Sequence, residues 1–250
     1  MLKAALITGA AKRIGKEIAL SLAGMGYEIA LHYNKSKNEA VKVSKEIEQR
    51  GVKCSLFQCE LSEIQQAHAL IPSVLKKFPH LNLLVNSASV YERINFLNST
   101  EENYDRLMNI NFKSPFVLSR DFAESLKNTN QNGHIINILD AKMYKNQTDF
   151  FLYLLSKRML AGLTELLALE LAPNIRVNGI APGTILPPNI TGNVGSAEKS
   201  SEGKFSENLL DSIPLKKYGN PLYIIQSIEF LVKNEYLTGQ ILYADGGLHL

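Results

Sequence analysis

The sequence predicts one α/β domain: a Rossmann-like, doubly wound parallel sheet of about seven strands with helices on both faces. Three observations predict it. Short apolar runs alternate with longer amphipathic stretches along the whole chain, the pattern of βαβ units. Several of these runs are continuously apolar, as strands are when helices cover both faces of a sheet. A glycine-bearing turn closes the first run and opens the first amphipathic stretch.

Taken in order, Ala4–Thr8 reads as the first strand and Arg13–Met25 as the first helix. Gly26 follows it, where a left-handed residue ends a helix easily. Glu28–Tyr33 and Lys37–Gln49 repeat the unit, with Gly51 in the same role. Lys53–Gln58, Ile64–Lys76 and Leu83–Asn86 continue it. One long helix is expected over Glu101–Ser125, started by a capping box of Ser99 with Glu102 and by two acids in its first turn. His134–Leu139 is the fifth strand. Phe150–Leu171 is a helix whose Leu155, Met159, Leu163, Leu166 and Leu167 give it an apolar face. Arg176–Ile180, Leu222–Val232 and Ile241–Ala244 complete the series. A loop near 187–217 breaks the rhythm. Its core, Pro187–Gly203, has little apolar content, and it is expected to be a mobile lid over a substrate.

Composition narrows the class. The chain has 250 residues, 27 Lys+Arg against 24 Asp+Glu and a net charge of +3. No run of basic residues concentrates that excess, so nucleic acid is not an expected partner. No apolar stretch reaches the ~18 residues of a membrane span, and no signal-peptide core is present. Cys54 and Cys59 are too few for a disulfide framework and match no zinc spacing. They read as buried, reduced thiols, and no metal site is expected. The expectation is a cytoplasmic enzyme acting on a small molecule.

The first turn reads Thr8-Gly9-Ala10-Ala11-Lys12-Arg13-Ile14-Gly15. Glycine lets a backbone approach a pyrophosphate, and the helix start offers unpaired N–H groups and a positive dipole end. Gly9, Arg13, Ile14 and Gly15 are therefore candidate cofactor contacts. The second strand ends in Tyr33-Asn34-Lys35-Ser36. A NAD site would place an acid there for the ribose hydroxyls. None is present, and Lys35 would attract a 2′-phosphate, which favours NADPH over NADH.

A Tyr and a Lys four residues apart share one helix face. Tyr33 and Lys37 have that spacing by chance, at a strand end. Tyr153 and Lys157 have it on a long helix after the fifth strand. There a lysine charge is expected to lower the phenol pKa and make Tyr153 a usable proton donor.

These residues carry a resemblance to the short-chain dehydrogenases/reductases, covering essentially the whole chain to Thr238-Gly239-Gln240 and Asp245-Gly246-Gly247. The family fingerprint TGxxxGxG has Arg13 in place of its middle glycine. That variant is similar to pteridine reductases and their dihydromonapterin or dihydrofolate reductase relatives. The resemblance implies cofactor contacts from Glu60 and Leu61, from Asn86, Ser87 and Ala88, from Lys157, and from Pro182 and Gly183. It implies a water-holding role for Asn111 in a proton relay to Lys157. The usual catalytic serine is replaced by Asp140. A carboxylate would repel a developing alkoxide, whereas a protonated one, or one acting through water, can serve a ring nitrogen. Arg13, Ser89, Tyr91, Asp140 and Tyr153 are the implied substrate contacts, with Tyr91 stacking on a pterin. The implied activity is NADPH-dependent pteridine reduction. A 3-oxoacyl-acyl-carrier-protein reductase is the alternative, and a non-catalytic NADPH-binding regulator a third. The resemblance also implies a homotetramer formed through the two long central helices.

Overall fold

The computed structural model describes residues 2–127, 129, 131–145, 148–185 and 209–250. Seven strands form one parallel sheet in the order β3-β2-β1-β4-β5-β6-β7. They are β1 (Lys3–Ile7), β2 (Tyr27–Tyr33), β3 (Cys54–Gln58), β4 (Leu81–Asn86), β5 (Gly133–Ile138), β6 (Ile175–Pro182) and β7 (Ile241–Ala244). Order reverses between β1 and β4, so the crevice beyond their carboxyl ends is the place where such folds bind ligands.

The helices are α1 (Arg13–Gly24), α2 (Lys37–Glu48), α3 (Ile64–Leu75), α4 (Glu101–Met108), α5 (Ser114–Leu126), α6 (Phe151–Glu170) and α7 (Pro221–Lys233). One core joins α1, α2 and α7 to one sheet face through Ile18, Leu22, Val43, Ile47, Ile224 and Ile228. The second joins α3 and α5 to the other through Leu70, Val74, Phe78, Leu118 and Phe122. Central strands are buried on both sides, which is why their sequences are continuously apolar. Gly26 and Gly51 take positive φ, 83° and 77°, after α1 and α2; Gly26 is the C′ residue of α1, and Gly51 lies one residue beyond that position of α2.

Two expectations need correction. The helix over Glu101–Ser125 is interrupted by a π turn, Asn109–Lys113, between α4 and α5. Pro115 explains it. Proline has no N–H for the carbonyl four residues back, that of Asn111, so the α-helical ladder cannot close there. The helix start also lies one residue later than the Ser99 capping box. Thr100 is the N-cap, its hydroxyl accepting from the Asn103 amide (3.1 Å), while Asn103 Oδ1 accepts from the Thr100 amide (3.4 Å). Ser99 instead donates to the Asn95 carbonyl (2.9 Å). The expected lid near 187–217 lies, through residue 208, outside the described residues. Beyond it, the Leu215 amide donates to the Gly246 carbonyl (3.1 Å), joining this segment to the chain after β7.

Candidate active site

The turn after β1 is held from three sides. Thr8 Oγ1 accepts from the Ser87 and Ala88 amides (2.9 and 3.0 Å), which ties β1 to the segment after β4. Gly9 has φ 68°, and a Cβ there would lie 3.0 Å from Ala88 Cα. A Cβ on Gly15 would lie 2.4 Å from the Gly9 carbonyl oxygen, so no side chain fits. Arg13 also has a positive φ of 53°. It occupies a glycine's conformation at a cost of about 1–2 kcal/mol.

This helix start suits an anion. The N-cap, Lys12, makes no side-chain hydrogen bond to the opening amides. Its ammonium pairs with Glu39 of α2 (2.8 Å), and Lys16 pairs with Glu46 (3.3 Å). Arg13 is exposed and makes no ion pair among the described residues. Lys35 is likewise exposed at the end of β2. Tyr33 is buried, and Ser36 caps α2 without a side-chain bond. Asn34 donates to Glu60. Burial pushes the Glu60 carboxyl up, but bonds from Asn34 and Ser62 and the nearby Lys35 charge outweigh it and hold it below its usual value. Leu61 is buried beside it, and its carbonyl accepts from Ser114 Oγ (2.6 Å). The anion-seeking turn, the unpaired cations and the lack of an acid after β2 fit a phosphorylated dinucleotide.

Asn86 is buried at the end of β4. Its Nδ2 donates to Asn137 Oδ1 (2.8 Å), and Asn137 donates to Thr164 of α6 (2.9 Å). Asn86 Oδ1 is left without a partner. Sequence reasoning missed Asn137, although a polar residue inside the apolar run Ile135-Ile136-Asn137-Ile138 signals it. Pro182 ends β6. Gly183 packs so closely on Asp245 that a Cβ would lie 2.7 Å from its Cα.

Tyr153, Lys157 and Asp140 come together beside this crevice. Tyr153 is buried and its hydroxyl donates to Asp140 Oδ2 (2.7 Å). Asp140 Oδ1 accepts from the Lys142 amide (2.7 Å), which fixes the carboxylate's orientation. Lys157 is 2% exposed, and its Nζ donates to the Ile138 carbonyl (2.8 Å) rather than to the phenol.

The electrostatics reverse one expectation. Burial, then the Asp140 charge and its hydrogen bond, push the Tyr153 pKa well above 10. Burial lowers Lys157 to about 8, against the opposing pull of Asp140. Lys157 sits 5.8 Å from the Tyr153 ring centre and donates to a carbonyl rather than to the phenol, so burial and the Asp140 charge prevail at Tyr153. Tyr153 therefore remains protonated at neutral pH. Asp140 is only partly buried and is the member of the pair that meets solvent.

Asn111 lies in the π turn and is fully buried. Its side chain holds the segment after β4: Oδ1 accepts from the Val90 amide (2.8 Å) and from Ser89 Oγ (3.2 Å). Its Nδ2 donates to the Val90 carbonyl (2.9 Å) and to Ser156 Oγ (3.1 Å). Tyr91 is 53% exposed and stacks on Phe150 (centroids 4.5 Å apart), with Tyr153 edge-on at 4.7 Å. One Tyr91 face is thus already covered by this chain. Arg106 pairs bidentately with Glu92, bracing the same segment on α4. Cys54 and Cys59 are free thiols, each pushed up to about 11 by burial, which makes them poor nucleophiles. Among the described residues no group of three His, Cys, Asp or Glu could hold a metal, and no helix is long and apolar enough to cross a membrane.

A parallel sheet with a phosphate-seeking turn at its switch point, next to a buried Tyr–Lys pair, defines a nicotinamide-dependent oxidoreductase of the Rossmann kind. The chain belongs to the short chain dehydrogenase family, whose model matches residues 3–199. It is 31% identical to the 3-oxoacyl-acyl-carrier-protein reductase FabG of Staphylococcus aureus, over 100% of this chain and 99% of that one. Among solved structures it resembles FolM alternative dihydrofolate reductase 1 from Brucella canis complexed with NADP, with a TM-score of 0.87, 31% identity and coverage of 99% and 94%. A blue fluorescent protein from a metagenomic library, in complex with NADPH, matches with a TM-score of 0.87, 29% identity and coverage of 99% and 98%.

Proposed function

We propose that this protein is an NADPH-dependent reductase of a pteridine, a dihydropterin or dihydrofolate type of substrate. The observation that carries the reading is the Tyr153–Asp140 hydrogen bond of 2.7 Å. A ketone reductase needs a neutral donor at position 140 to meet the oxygen on which negative charge develops. A carboxylate there is repelled by that charge. A ring nitrogen gains a proton instead, and a carboxyl–phenol pair can hold one for it.

NADPH, when bound, supplies the hydride. Arg13 and the opening amides of α1 would hold its phosphates, Lys35 its 2′-phosphate and Lys157 its nicotinamide ribose. Tyr153 keeps its proton because its burial and Asp140 disfavour phenolate. Asp140, partly buried, is the side of the pair that meets solvent, and its bond to Tyr153 links the buried phenol to that solvent. Arg13 and the exposed face of Tyr91 would position the flat ring. The Asn111 hydrogen bonds fix Ser89 and Val90 at the same mouth. A water relay through Asn111 would have to use its main chain, since its side chain is fully engaged. A homotetramer would cover the exposed Phe116 of α5 and Leu166 and Leu169 of α6.

The curated relatives favour a second reading, a 3-oxoacyl reductase. One panel separates the two. NADPH oxidation is followed with dihydrobiopterin, dihydromonapterin, dihydrofolate and acetoacetyl-CoA, using the wild type and Asp140→Ser, with NADH in parallel. Turnover of a dihydropterin or dihydrofolate, with NADPH preferred, is expected. Asp140→Ser should lower that rate about 100-fold or more and leave acetoacetyl-CoA reduction unchanged or improved. Efficient acetoacetyl-CoA reduction by the wild type, with no pterin or folate turnover, sinks the proposal.

A further inference from the structure

His32 lies on β2, in a run that otherwise reads as plain strand, and none of the chemistry above uses it. It is buried to 2% exposure. Its Nε2 is 3.0 Å from the Cys59 carbonyl, and its Nδ1 is 3.0 Å from the Gly9 amide. A carbonyl can only accept, so Nε2 carries the ring proton. Nδ1 then presents a lone pair, and the Gly9 N–H donates to it. Burial keeps the ring neutral down to about pH 4, against the opposing effects of the Cys59 carbonyl and Glu60. Both ring nitrogens are therefore satisfied in one tautomer.

The main chain works in parallel. The Ala10 amide donates to the His32 carbonyl (2.9 Å), and the Cys59 amide donates to the Tyr33 carbonyl (3.1 Å). Cys59 is thus anchored to β2, His32 is anchored to Cys59, and the two residues that begin the turn are anchored to His32. Gly9 is where the chain takes its left-handed step of φ 68°. An acceptor on its amide fixes the peptide plane entering that step, and the planes that follow lead to the opening amides of α1.

We propose that His32 is a positioning residue for cofactor binding: its neutral imidazole holds the Gly9 amide and so sets the direction of the phosphate-binding turn. The inference rests on the reading that this turn binds NADPH. It predicts that the Nδ1 bond matters to the cofactor, whereas the Nε2 bond matters only to stability.

Two substitutions separate the bonds. Asparagine places Oδ1 near the imidazole Nδ1 and does not reach Cys59. Glutamine places its amide near Nε2 and offers nothing to Gly9. NADPH affinity is measured by fluorescence titration, with melting temperature and kcat at saturating NADPH alongside. His32→Asn should bind NADPH within about threefold of wild type, whereas His32→Gln should bind about tenfold more weakly, the worth of one lost hydrogen bond. Melting temperature should fall in both, and kcat should stay within about twofold. Equal affinities in the two variants, with wild type binding normally, overturn the inference alone. Failure of the wild type to bind NADPH overturns the cofactor reading and this inference with it. A second measurement needs no variant: imidazole 15N shifts of the wild type should show Nε2 protonated and Nδ1 bare at pH 7. The opposite tautomer overturns the inference.

Discussion

Arg13 shows how one residue can carry a cost that the fold does not need. Its φ of 53° is a glycine's, and neighbouring Lys12 and Lys16 spend their charges on α2. Of these three cations, Arg13 alone makes no ion pair among the described residues. Strain of this kind persists where function maintains it. Arg13→Gly should relieve about 1–2 kcal/mol of strain and give back about 0.5–1 kcal/mol to the flexibility of the unfolded chain. The melting temperature should therefore change little. The KM for NADPH should rise about tenfold, as loss of a charge-assisted contact requires. A variant that melts markedly lower with an unchanged KM would make Arg13 a structural residue. At Asp140 and Tyr153 the pairing is implied by the family resemblance, which puts the tyrosine's usual partner at position 140. The sign of the phenol's shift is not, because it depends on how deeply the ring is buried and on Lys157 reaching Ile138 instead.

At the scale of elements, strand positions were legible because buried parallel strands are plain apolar runs, and their bounds agree with the structure to within two residues. What was not legible is instructive. Ser99 and Thr100 are both good caps, and the choice between them is made by where Asn103 can fold back. The π turn was hidden because one extra residue hardly disturbs a 3.6-residue period. Pro115 is the signal that could have revealed it. That turn has a consequence for the site, since Asn111 is the residue it carries inward. Asn111→Ala removes four side-chain hydrogen bonds and leaves the Val90 amide and carbonyl bare. A loss of about 2–4 kcal/mol is expected. The KM for the substrate should rise several-fold, because Ser89 and Tyr91 lose their support. The KM for NADPH should stay near wild type, because the turn after β1 is held independently by Thr8 and His32. A stability curve in urea and two KM values check this, and a rise confined to the NADPH KM would contradict it.

For the whole molecule, acid stability is set by two buried imidazoles. Burial lowers His32 to about 4, and burial with the Arg176 charge lowers His134 to about 3. In the unfolded chain both titrate near 6.5. Below that pH the unfolded chain binds protons that the folded protein refuses, so stability falls as pH falls. The loss begins near 6.5 and continues until the folded values near 4 and 3 are reached. Once both unfolded imidazoles are charged, below about pH 5.5, the slope is two protons' worth, about 3 kcal/mol per pH unit. The full slope ends as His32 charges in the folded protein near pH 4, and by then it has removed a large part of a typical stability of about 5–15 kcal/mol. Carboxylates held low, such as Glu60, pull the same way but only as pH nears their own range. The window between pH 6.5 and 5 therefore isolates the histidines. Unfolding free energies from urea melts at closely spaced pH values give the proton count directly from the slope. The wild type should approach two protons at the lower end of that window and His32→Asn one. Because the carboxylates are common to both proteins, the difference between the slopes belongs to His32, and identical slopes would show that its imidazole is charged in the folded state.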